Sequence, residues 1–145
     1  MTKAQEWADY LAATSKFEHA RDTYLNGEYV GENIAMMSGG KARAVEATRM
    51  WYCEVDDYKK NPGVFSSNVG HFTQVSALKS TRLKRRKVFR APLQVVWKST
   101  ERVGFGIATG RDGTTRVVAN YAPGGNFNFN SPSGAAANVD MADGK

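Results

Sequence analysis

The sequence has little with which to cross-link itself. Its 145 residues include one cysteine, Cys53, which excludes an internal disulfide. Histidine is almost as scarce, with only His19 and His71. No apolar run is long enough to span a bilayer. The opening MTKAQEWADYLAATSKF is amphipathic and has no apolar signal-peptide core, and Met-Thr is not a myristoylation start. The chain as written therefore suits a reducing compartment, or it is an incomplete copy of a secreted one. Acid is missing from one place. Residues 76–94 carry Lys79, Arg82, Lys84, Arg85, Arg86, Lys87 and Arg90 and no Asp or Glu. Taking those seven from the net charge of +6 leaves −1, so the basicity belongs to this stretch and not to the domain. It is not the footprint of a nucleic-acid-binding fold.

What is present reads as one domain with one core. Ala4, Trp7, Ala8, Leu11 and Ala12 recur at helical spacing, which predicts an amphipathic helix over 3–16, with His19 just beyond it. Asn26-Gly27 marks a turn. GENIAMM, from Gly31, reads as a strand that Ser38-Gly39-Gly40 ends. A second helix is expected over 42–60, with Val45, Thr48, Tyr52 and Val55 on its apolar face and Trp51 and Tyr58 flanking. Lys59 and Lys60 suit its C-terminus, and Asn61-Pro62-Gly63 stops it. VGFGIAT (103–109) and TRVVANY (115–121) read as strands joined by an Asp112-Gly113 hairpin turn. After Asn126 the Asn-, Ser-, Gly- and Ala-rich tail has little to bury and is expected to be disordered over 128–145.

Five stretches together resemble a known family: GENIAM, MWYCEVDDY, GHFTQ continued by VVWKST, VGFGIATG and VVANYAPGGNF. They are similar to the CAP superfamily of cysteine-rich secretory proteins, antigen 5 and plant pathogenesis-related group 1 proteins. The likeness covers roughly residues 5–127. It implies an α+β fold, a three-layer α-β-α sandwich around a small antiparallel sheet. Ala119 stands where the second family signature usually has cysteine, which places the chain nearer the family's cysteine-poor, Golgi-associated members.

Two departures follow from the resemblance. The family's first helix has no counterpart, so one sheet face is expected to expose apolar surface. The basic stretch also interrupts the first signature. Deleting 75–94 or 76–95 restores HFTQVVWKST, because Gln-Val occurs at both 74–75 and 94–95. Residues 76–94 therefore read either as retained intron sequence or as a real basic loop. Either way the domain is expected to span 1–127 with this insertion, and the insertion to loop out so that Trp97 reaches the core.

The resemblance also implies a cleft holding His19, Glu32, Glu54 and His71. Neutral imidazole suits zinc, and a carboxylate either ligates the ion or orients a ligating histidine. The spacings of 13, 22 and 17 residues match no short zinc signature, so residue pattern alone is a weak signal. Taken singly, His71 would be a cap or surface residue, Glu32 a backbone acceptor and Glu54 a solvated helix residue. Trp51, Tyr52 and Trp97 read as packing, Ser99 and Thr100 lack a base, and the neighbouring Glu54 argues against a reactive Cys53.

Three function classes remain. The first is a non-enzymatic binding module with a weakly held Zn2+, using other surfaces for lipid, sterol or protein partners. The second is a zinc-assisted hydrolase using the same four residues. The third is a binder of anionic surfaces, membrane or nucleic acid, through residues 79–90, which would be salt-sensitive. Extracellular location follows from the resemblance; a cytoplasmic or Golgi-peripheral one suits the single cysteine.

Overall fold

The structure, a computed structural model, describes residues 3–38, 44–74, 97–126 and 139. The insertion, and all of the predicted tail except Val139, lie outside the described residues. Helix α1 (Lys3–Thr14) buries Ala4, Ala8, Leu11 and Ala12, the stripe its spacing predicts. It ends two residues earlier than expected. Ser15 adopts φ +54°, and the Lys16 amide donates back to the Leu11 carbonyl at 3.1 Å, closing the helix by a left-handed turn.

A short hairpin, β1 (Tyr24–Leu25) with β2 (Glu28–Tyr29), turns at Asn26-Gly27, where both residues take positive φ. The main sheet has β3 (Gly31–Ser38), β4 (Arg102–Thr109) and β5 (Thr114–Ala122) in the order β3-β5-β4, all antiparallel. The β4–β5 turn falls at the predicted place, with Gly113 at φ +71°. Arg116, fully buried, locks that turn through a two-pronged ion pair with Asp112 at 2.7 and 2.9 Å, and donates to the Lys16 carbonyl beyond α1.

Strand alternation divides the sheet into two faces. Ile34 and Val118 join Ala4, Ala8 and Leu11 on the α1 side. The closest approach there is at Gly106, where a Cβ would overlap the backbone of Ala4 and Gln5. Ala35, Val117, Ala119 and Tyr121 face the other way, against Ala47 and Trp51 of α2 (Ala44–Cys53). A third cluster joins Tyr58, Val69, Phe72, Trp97 and Val139. The result is the expected three-layer α-β-α arrangement. Where β4 forms the second face it is partly open: Val103 and Phe105 are half-buried and Ile107 is 37% exposed.

Two expectations need correction. The helix read over 42–60 is two helices, α2 and α3 (Val55–Tyr58), separated at Glu54, whose ψ of −10° interrupts the ladder. Its fully buried residues are Ala47, Trp51 and Tyr58; of the expected apolar face, Tyr52 and Val55 pack half-buried against the third cluster, whereas Val45 is exposed. Val139, within the stretch expected to be a disordered tail, pairs with Trp97 in an antiparallel bridge and is buried in the third cluster. Trp97 is itself buried, as its place in the signature requires.

Candidate functional site

Helix α4 (Gly70–Gln74) is five residues long, too short to hold itself by its own ladder. Side chains from three other segments hold it. The Glu54 carboxylate accepts the backbone amides of His71 and Phe72 through one oxygen, each at 3.0 Å. Its other oxygen accepts the His71 ring Nδ1–H at 2.7 Å. Asn33, buried on β3, donates to the His71 carbonyl at 3.0 Å, and Asn126 donates to the Gly70 carbonyl at 2.9 Å. The buried indole of Trp51 stacks on the His71 ring at 6.2 Å, nearly parallel at 18°. The interruption at Glu54 thus has a partner in space: the residue that parts α2 from α3 builds the start of α4.

His19 is arranged the same way. Glu32 accepts its Nδ1–H at 2.8 Å and the neighbouring Ala20 amide at 3.0 Å, both through Oε1. Its Oε2 accepts the Asn120 side-chain amide at 3.4 Å. The Glu32 side chain is 9% exposed, whereas that of His19 is 60% exposed. The hydrogen bond to this carboxylate raises the His19 pKa above its ordinary value, against a smaller opposing contribution from burial.

The four candidate residues are therefore joined as two histidine–glutamate pairs. A carboxylate at Nδ1 fixes the proton there and leaves Nε2 as the ligating nitrogen of the neutral ring. Glu32 and Glu54 are engaged by amide and ring donors. Among the described residues no group of three or more His, Cys, Asp or Glu side chains is gathered as a metal cage. Among the described residues these side chains thus form no closed four-ligand structural site.

Thr100 is buried and donates its hydroxyl to the Pro123 carbonyl at 2.8 Å. Cys53 is exposed. Lys79, Arg82, Lys84, Arg85, Arg86, Lys87 and Arg90 lie outside the described residues. Two contributors escaped sequence reasoning. Trp51 had been assigned to packing alone, though it also backs the His71 ring. Asn33 gave one signal: an Asn inside a strand, where Asn is disfavoured, and adjacent to a candidate glutamate.

The cysteine-rich secretory protein family, CAP, matches residues 1–121. The human Golgi-associated plant pathogenesis-related protein 1 is 32% identical over 124 residues, 86% of this chain and 66% of that protein. Pathogenesis-related protein 1A of Nicotiana tabacum is 31% identical, over 89% of this chain and 62% of its own. Cysteine-rich secretory protein 3 of Equus caballus is 34% identical, over 87% and 44%. The chain thus spans 44 to 66% of the length of these relatives. Among solved structures, that of BmVAL-1 shares the fold with a TM-score of 0.53 at 24% identity, covering 86% of this chain and 58% of that one. Fold, signature residues and family match converge, and the chain belongs to the cysteine-rich secretory protein (CAP) family.

Proposed function

We propose that this chain is a binding and interaction module, not an enzyme, whose cleft takes up a divalent cation of the zinc class through His19 and His71. The observation that supports the reading is the pair of Nδ1–carboxylate bonds, 2.8 Å at His19 and 2.7 Å at His71, which present Nε2 on both rings. When bound, such an ion supplies a Lewis-acidic centre. The chain's own residues do the rest: Glu32 and Glu54 hold tautomer and ring direction, and Trp51 shields one face of His71.

The hydrolase alternative needs a glutamate directed at the reacting atoms as a base. Both carboxylates are committed to backbone amides and imidazoles, and Glu32 to Asn120 as well, which favours a holding role. The partner half of the proposal, a lipid, sterol or protein surface, rests on family membership. So does extracellular action, with a Golgi-peripheral setting as the alternative drawn from the human relative's name.

Zinc calorimetry on the wild type and on a His19→Ala/His71→Ala variant tests the metal half. Uptake by the wild type alone is expected, and it should weaken as pH falls and protons compete for the rings. Equal uptake by both proteins overturns it. Turnover of ester or peptide substrates that chelators abolish would restore the hydrolase reading.

A further inference from the structure

We infer that Asn33 is a positioning residue for the candidate cleft, and that the Glu32–Asn33 dipeptide at the start of β3 sets the placement of both histidines; the inference rests on the metal-cleft reading above. Consecutive strand residues point to opposite faces. Glu32 points to the α1 side, where it holds the His19 ring and the Ala20 amide. Asn33 points to the α2 side, where its Nδ2 reaches the His71 carbonyl at 3.0 Å and the Tyr121 hydroxyl oxygen at 3.4 Å. One peptide unit of a paired strand, in register with Ala119 and Asn120 of β5, is thereby tied to both imidazole-bearing segments.

The chemistry of Asn33 fits this task better than packing. It is 1% exposed, and a buried amide is retained at little cost only where it is hydrogen-bonded. Its shorter bond goes to the main chain of the residue that carries the imidazole. Glu54 restrains the same residue from the other side, at its amide and its ring. Together, Asn33, Glu54 and Trp51 restrain carbonyl, amide and ring of His71. Hydrophobic burial cannot supply such orientation, because it is non-directional. Burial also pushes the Tyr121 hydroxyl above the ordinary tyrosine range, so this phenol stays neutral.

Asn33→Leu fills the space and removes the donor. Tyr121→Phe keeps the bond to His71 and removes only the weaker contact. Two readouts apply: zinc affinity by calorimetry, and the His71 ring signals in a long-range ¹H–¹⁵N spectrum of the metal-free protein. Asn33→Leu is expected to lower zinc affinity about tenfold or more, the scale typical of lost orienting partners. It should also shift or broaden the His71 ring signals while leaving those of His19 in place. Tyr121→Phe should leave both readouts close to wild type. If the leucine variant does not fold, Asn33→Ser, too short to span to the His71 carbonyl, is expected to give the same changes. Wild-type His71 signals in whichever variant folds overturn the inference. So does a Tyr121→Phe effect as large as that at Asn33. Failure of the wild type to bind zinc would sink the metal reading alone, because the metal-free ring spectrum still decides the role of Asn33.

Discussion

Exchanging one carboxylate oxygen for an amide at Glu54 should separate the fold-holding role of this residue from its control of His71. In the native chain one Glu54 oxygen accepts two backbone amides and the other accepts the His71 Nδ1–H. Glu54→Gln keeps an oxygen for the two amides, but as neutral bonds of about half the strength. The loss in stability should be about 1–2 kcal/mol. Glu54→Ala would leave three donors without their acceptor. At about 1–3 kcal/mol each, tempered because the Glu54 side chain is 20% exposed and water can reach it, the loss should be about 2–4 kcal/mol.

The glutamine variant has a second effect that the alanine variant lacks. Its NH2 group would face Nδ1–H, donor against donor. The neutral imidazole relieves this by moving its proton to Nε2 and accepting at Nδ1. That withdraws the nitrogen assigned to the metal, so zinc affinity should fall about 10- to 100-fold, or about 1.4–2.7 kcal/mol. The assay is a long-range ¹H–¹⁵N spectrum of metal-free protein, paired with calorimetry and a thermal melt. A folded Glu54→Gln protein with Nε2 still unprotonated and zinc uptake unchanged would refute the tautomer argument.

Other outcomes follow from the same contacts. Gly106→Ala should cost about 1–3 kcal/mol, because the added methyl meets the backbone of Ala4 and Gln5 and α1 must lift; an unchanged melting temperature would contradict this seating of the helix. Gln5 covers part of the β4 edge, donating to the Ile107 carbonyl at 3.0 Å and accepting the Ile107 amide at 3.1 Å. Gln5→Ala should therefore increase self-association in light scattering, since it bares an edge strand beside the half-open Val103, Phe105 and Ile107. The raised pKa of His19 gives a sign: its pairing with Glu32 stabilises fully below about pH 6.5, the unfolded value, and that contribution is lost as pH rises through the higher folded value. A stability-against-pH series in which His19→Ala matches the wild type across this window would contradict the pairing. Asp112, held well below the ordinary carboxylate range chiefly by its bonds with Arg116, works the other way, its contribution being lost only as pH falls through that depressed value; Asp112→Asn should flatten the acid limb of the curve.

How far the sequence could be read depended on whether a residue's role was periodic or pairwise. The α1 stripe, the β3 strand and the Asp112-Gly113 turn are local patterns, and each appears where it was expected. The helix over 42–60 failed because periodicity cannot register a contact 17 residues away. Glu54 sits in a helical pattern, yet its carboxylate serves the amides of His71 and Phe72, and the ladder breaks there. Val45 was misread for a related reason. A β-branched apolar residue scored for the core, while the position facing the sheet is held by the small Ala47, which lets Trp51 come close. The four cleft residues were legible only through the family resemblance, and the pairing of each histidine with its glutamate is long-range.

That pairing bears on what the four residues are for. In both halves a single carboxylate binds an imidazole Nδ1 and at least one backbone amide of the same short segment. The bond that directs the ring is thus inseparable from the bonds that hold the segment. Losing either glutamate would disturb local structure even if no ligand ever entered the cleft, so retention of all four residues is weak evidence for catalysis. Evidence for ligand binding has to come from the nitrogen that does no structural work. Among the described residues that atom is Nε2 in both rings, and a change confined to it is the informative one. Replacing His71 by a residue that still donates to Glu54 but offers no Nε2 acceptor would do this. His71→Asn is the nearest natural choice, with its amide NH2 standing in for Nδ1–H. We expect His71→Asn to retain most of the stability and lose zinc uptake. Loss of both together would mean that the ring's packing against Trp51, and not its free nitrogen, is what the cleft preserves.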